Sequence, residues 1–127
     1  MLSAAAMRDY RKLIAFQKAD ALVLAVYRWS DHLPVEERYV LRSQIRRCAV
    51  SITANIVEGS ARTGQAEYIN HLNIAVGSAS ELGYLVDLTG RIYPKLSLPG
   101  KLLPTQTTEV IKILVALVES LRVRPRA

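Results

Sequence analysis

Apolar residues recur at three- and four-residue spacing in four stretches of this 127-residue chain, the period of one face of an α-helix. The spacing predicts helices over about 13–31, 35–58, 65–92 and 105–122. The first has apolar residues nearly all round, with Phe16, Ala19, Leu22, Val23, Leu24, Val26 and Trp29. A helix apolar on most sides is buried on most sides, so it is expected to touch more than its own neighbours. His32-Leu33-Pro34 ends it, and Pro34 suits the first turn of the next helix.

The second helix carries three chemistries on three sides. Leu41, Ile45, Cys48, Ala49, Ile52 and Ile56 form an apolar stripe, flanked on one side by Gln44, Arg47, Ser51, Asn55 and Glu58. Arg38, Arg42 and Arg46, each four residues apart, run along the other flank. Tyr39, Val50 and Val57 lie roughly opposite the core stripe and mark a surface for another subunit. Glu36 and Glu37 fall where a helix N-terminus favours acids, and Gly59 is expected as the left-handed residue that ends the helix. Thr63 is the expected N-cap of the third helix. That helix has two apolar stripes, with Glu81 inside one of them. Its mid-helix Gly77 would cost roughly 1 kcal/mol relative to alanine, which implies a neighbouring backbone close by. Pro94, Pro99, Gly100 and Pro104 interrupt the pattern before the fourth helix.

These elements predict an all-α protein: an antiparallel, up-and-down four-helix bundle over residues 10–122 with short connections. Residues 1–9 are expected to be a flexible tail, and 123–127 a basic one. Half the chain is apolar but only 6% is aromatic, so the core is aliphatic. The lone Cys48 excludes an internal disulfide and fits a reducing compartment; on the apolar stripe it reads as a small buried hydrophobe. The first seven residues lack the charged region and apolar core of a signal peptide. No run reaches the ~18–20 apolar residues of a membrane span. A cytoplasmic protein is expected.

The formal net charge is +6, from 17 basic and 11 acidic residues, and favours anionic partners. The chain offers few groups for catalysis or for a cofactor. His32, His71 and Cys48 fall short of the four ligands of structural zinc, and no carboxylate set suits a metal bundle. No histidine accompanies Ser51, Asn55 and Glu58 as a base. Gly59–Gly64 follows a helix and lacks the Gly-Lys-Ser/Thr ending of a phosphate loop. No catalytic site, metal or cofactor is expected.

Two constellations remain. The stripe Gln44, Arg47, Ser51, Asn55 and Glu58, with Glu81, reads as a structural hydrogen-bond network in which Arg47 pairs with Glu81 or Glu58. The arginines at 38, 42 and 46 suit phosphates, because a guanidinium donates two parallel hydrogen bonds. Arg122, Arg124 and Arg126 of the tail could join them on an RNA or DNA backbone. No helix-turn-helix pattern and no aromatic platform for bases stands out, so base-specific reading is not expected. The competing reading is a protein-interaction scaffold with no nucleic-acid ligand, whose charge serves solubility.

Residues 43–59 and 67–82 resemble a family of small four-helix-bundle proteins encoded in intervening sequences of bacterial 23S ribosomal RNA genes. The resemblance rests on Ser43-Gln44-Ile45-Arg46-Arg47, Ser51-Ile52, Asn55-Ile56 and Glu58-Gly59. It continues through Glu67-Tyr68, Leu72-Asn73-Ile74-Ala75, Gly77-Ser78 and Glu81-Leu82, with Phe16-Gln17-Lys18-Ala19 in the first helix. It implies a non-enzymatic protein of largely unassigned role that assembles as a closed ring, a homopentamer. It also implies kinship in architecture with the basic accessory protein of diversity-generating retroelements, which works with a reverse transcriptase and nucleic acid. Val76 departs from the arginine usual before Gly-Ser, and Val57 from the usual alanine. The first departure weakens any phosphate-binding role for the third helix.

Overall fold

The computed structural model describes residues 8–123 and contains four α-helices and no strand among them. They are α1 (Ile14–Ser30), α2 (Leu41–Ser60), α3 (Gln65–Ile92) and α4 (Leu103–Val123). Short 3₁₀ turns at Tyr10–Lys12, Val35–Glu37 and Pro94–Leu96 punctuate them. α1 packs on α2 and α4, and α3 packs on the same two helices. One apolar core lies between the four, and Leu22, Ile45, Ile52, Ile56, Leu72, Leu82 and Leu114 are fully buried within it. Each such side chain contributes about 1.5–3 kcal/mol over an exposed one. The helical period that placed them on one stripe is therefore the main source of stability.

Three local features depart from the expected pattern. α2 begins at Leu41 instead of near Val35, because Val40 leaves helical geometry at φ −117° and ψ −98°. The acids that looked like a helix start serve a 3₁₀ turn: Glu37 accepts from the Tyr93 hydroxyl, 56 residues away, and from the Leu41 backbone N–H. α4 begins earlier than expected, at Leu103, with Pro104 in the first turn, where a missing N–H costs nothing. Gly59 is not left-handed and lies inside α2. Its missing side chain serves a close approach instead, since a Cβ there would lie 2.7 Å from the His71 Cβ on α3.

The N-cap of α3 is Gly64, with no side-chain capping bond, so Thr63 does not take that role. Gly77 also differs from expectation. Nothing among the described residues outside its own helix lies within 4 Å of where its Cβ would be, so no neighbouring backbone among them compensates for it. α1 has an outward apolar side as expected: Ile14, Leu24 and Tyr27 are exposed while Ala15, Ala19, Leu22, Val26 and Trp29 are buried. The α3–α4 connection is tied to α1 by Trp29, whose indole N–H donates to the Leu96 carbonyl at 3.0 Å. No buried side-chain nitrogen or oxygen among the described residues lacks a hydrogen-bond partner. Nor is any helix among them long and apolar enough to cross a membrane.

Candidate functional site

The last turn of α1 exposes backbone carbonyls that no later turn can use. Arg46, on the second turn of α2, satisfies this end. Its Nη2 donates to the Tyr27 carbonyl at 3.1 Å and to Asp31 Oδ1 at 2.7 Å, and its Nε donates to Ser30 Oγ at 2.8 Å. Its guanidinium carbon also sits 4.4 Å from the centre of the Tyr27 ring. A cation at a helix C-terminus complements the helix dipole. Arg46, expected beside Arg38 and Arg42 as a phosphate ligand, is thus committed to holding α1 against α2.

Around this joint lies an open hollow of about 460 Å³, bordered by Tyr27, Arg38, Tyr39, Arg42, Arg46 and Arg47. No carboxylate among the described residues lines it. Arg38, Arg42 and Arg47 form no ion pair among the described residues. Arg47 was expected in the polar network, yet it pairs with neither Glu58 nor Glu81 and turns to this hollow. Glu58 instead pairs with Arg62 at 3.0 Å. Tyr39 and Val50, expected on a subunit interface, border the same hollow, with Tyr39 84% exposed. Val57 lies away from it, beside the segment Arg8–Arg11.

The polar network is narrower than its sequence outline and draws on α3. His71 Nδ1 donates to Asn55 Oδ1 at 3.0 Å, and Asn55 Nδ2 donates to the Ser51 carbonyl at 2.8 Å and to Ser51 Oγ at 3.2 Å. Ser51 and Ser78 hydroxyls meet at 2.8 Å. Gln44 is exposed and makes no side-chain hydrogen bond among the described residues. Glu81 lies beside Cys48; burial first, then a hydrogen bond to Glu81, pushes that thiol up to about 12. Such a thiol is neutral and inert at ordinary pH. The sequence signal for His71 and Ser78 was present but ambiguous. Only the pairing of α2 with α3 selects them.

Arg122 is exposed near the end of α4, and Arg124 and Arg126 lie outside the described residues. Gln65, the first residue of α3, donates to the Leu121 carbonyl at 2.6 Å, so this end of α4 sits where α3 begins. The arginine hollow sits where α2 begins, about 25 Å away along a helix rising 1.5 Å per residue. Arg122 is therefore not brought to Arg38 and Arg42. No cluster of three or more His, Cys, Asp or Glu able to hold a metal occurs among the described residues.

A family model for the 23S rRNA-intervening sequence protein matches residues 11–116. The chain belongs to the 23S rRNA-intervening sequence protein family. Among solved structures it is similar to a protein of unknown function from the S23 ribosomal protein family of Bacteroides thetaiotaomicron. The two are 27% identical with a TM-score of 0.76, over 84% of this chain and 96% of that one. No curated protein matches. Neither match indicates an enzyme family. The span shared with the 23S rRNA-intervening sequence proteins includes the arginine hollow and the His71–Asn55–Ser51–Ser78 chain, and it stops short of Arg122.

Proposed function

We propose that this protein is a non-enzymatic, cytoplasmic accessory factor that binds the phosphate backbone of RNA or DNA. The observation that carries this reading is the hollow where Arg38, Arg42 and Arg47 converge without an acidic residue on its lining. Three guanidiniums beside one another repel unless an anion joins them, and phosphates accept their paired N–H groups. Arg46 serves this site by fixing the end of α1 beneath it. In the same reading the helices run antiparallel, consistent with Asn55 meeting His71 while the earlier Ser51 meets the later Ser78. The units then assemble into a closed homo-oligomeric ring, a pentamer by family resemblance. Exposed Leu24, Ile74, Tyr84 and Val115, and not Tyr39 and Val50 of the hollow, are the apolar side chains that support burial against further copies. A ring would repeat the hollow and multiply weak contacts through effective concentration.

The test is retention of labelled nucleic acid across a salt series. Log affinity should fall with log salt at a slope of at least about −2, as three neutralised phosphates require. The triple variant Arg38→Gln, Arg42→Gln, Arg47→Gln should flatten that slope and lose most of the binding. Unchanged retention by this variant would remove the hollow as the site. No retention by the unmodified protein at low salt, together with salt-insensitive capture of a protein partner, would favour the scaffold reading. The exposed apolar side chains are the observation behind that second reading. Light scattering at low micromolar concentration tests the ring, and a monomer mass would overturn it.

A further inference from the structure

We infer that the arginine hollow takes single-stranded nucleic acid, with a base stacked on Tyr39 while Arg38, Arg42 and Arg47 hold the adjoining phosphates. This rests on the backbone-binding reading above and narrows its ligand class. Along the sequence no aromatic platform was evident, because Tyr27 belongs to α1 and Tyr39 to the turn before α2. The fold brings both to the rim of one hollow with the arginines. Their roles differ. Tyr27 has a ring face occupied by the Arg46 guanidinium at 4.4 Å. Tyr39 is 84% exposed and makes no side-chain hydrogen bond, aromatic contact or cation–π contact among the described residues.

A tyrosine ring held in water beside three cations is a stacking surface for a flat, electron-rich partner. Nucleobases are such partners, and only a single strand or a loop can present a free base face; in a duplex those faces are already stacked. An acidic protein segment would satisfy the arginines but leave the ring unused. The hollow is open, about 460 Å³, so it suits a strand lying across it rather than a small molecule enclosed within it. Arg38, Arg42 and Arg47 border the same hollow as the ring, and so meet the phosphates next to the stacked base. The stack is indifferent to base identity, because every base has a π-face.

Fluorescence anisotropy of the full chain with a labelled single-stranded oligonucleotide, and with a duplex of equal length, tests this. Tyr39→Leu should weaken single-strand binding by about fivefold or more and leave duplex binding unchanged. Tyr39→Phe should restore single-strand binding, because stacking needs the ring and not the hydroxyl. Tyr39 is exposed, so far-UV circular dichroism of both variants should match the unmodified protein. Equal losses on both ligands, or none on either, would overturn the single-strand inference while leaving backbone binding intact. Binding of neither nucleic acid, with binding of a polyglutamate peptide instead, would overturn both.

Discussion

Adding one methyl group at Gly59 tests the packing that joins α2 to α3. The new carbon would lie 2.7 Å from His71 Cβ and 3.3 Å from Tyr68 Cδ1. Carbon atoms rest at about 3.5–4.0 Å, so the two helices must part locally by about 0.8 Å. His71 Cβ is fixed to its own backbone and cannot swing aside. A gap of that size forfeits about a quarter to a half of the dispersion contact between the surfaces it opens. Those surfaces include the buried Ile56, Tyr68 and Leu72. Overpacking of this kind costs about 1–3 kcal/mol, offset by up to about 1 kcal/mol of helix propensity. Gly59→Ala should therefore lose up to about 2 kcal/mol. Gly77→Ala is the internal control: nothing lies within 4 Å of its Cβ position, so only the propensity acts and stability should rise by about 0.5–1 kcal/mol. Thermal melts followed by circular dichroism, at one protein concentration, should separate the two variants by about 8 °C. Gly59→Ala melting at or above Gly77→Ala would refute the close-approach account of Gly59. A loss at Gly77→Ala would instead mean that another copy of the chain covers this position.

Arg46→Gln should cost about 1–2 kcal/mol in urea unfolding, because it strips charge-assisted bonds from the Tyr27 carbonyl, Ser30 and Asp31. Asp31→Asn should cost under about 1 kcal/mol, since Asp31 is 68% exposed against 20% for Arg46 and its share is screened. Equal costs would place the joint's strength in the ion pair and not in the helix-end bonds. Cys48 supplies a pH dependence. Its folded pKa stands at about 12 against 9.0 ordinarily, so the unfolded thiol ionises first. Stability from this group is complete below pH 9 and declines as pH rises toward 12. Denaturant midpoints of Cys48→Ala should lack that share of the decline, and a thiol reagent at pH 8 should label the wild type only after unfolding. Rapid labelling of the folded protein would contradict the burial of Cys48.

The helices were legible because their apolar spacing is helical, and α3 occupies Gln65–Ile92, the span its stripes mark out. The start of α2 was not, because Glu36 and Glu37 resemble the acids of a helix N-terminus. Glu37 turns out to serve Tyr93, a partner invisible to local pattern. The arginine row was legible as a row but not as a site. Period alone groups Arg38, Arg42 and Arg46 and assigns Arg47 to the opposite flank. Which of them stays available is decided by the end of α1, which consumes Arg46 and leaves Arg47 on the hollow. The Ser51–Asn55 part of the polar stripe needed α3 to supply His71 and Ser78. Residues near the ends of that stripe, Gln44 and Glu58, have solvent or a local partner instead.

The bond from Trp29 to Leu96 has a consequence for how the chain reaches its final form. α2 and α3 are separated by four residues, so their pairing closes a short loop and can form early. The Trp29–Leu96 contact spans 67 residues and closes later by the same reasoning. Trp29 is the chain's one tryptophan, and it passes from water to a buried, hydrogen-bonded pocket in that late event. Its emission therefore reports specifically on the docking of α1 with the α3–α4 connection, while helix formation in the α2–α3 pair leaves tryptophan emission unchanged and shows only in ellipticity. A difference in time between ellipticity and tryptophan emission during refolding would be the interval between the first helical pair and the closed core.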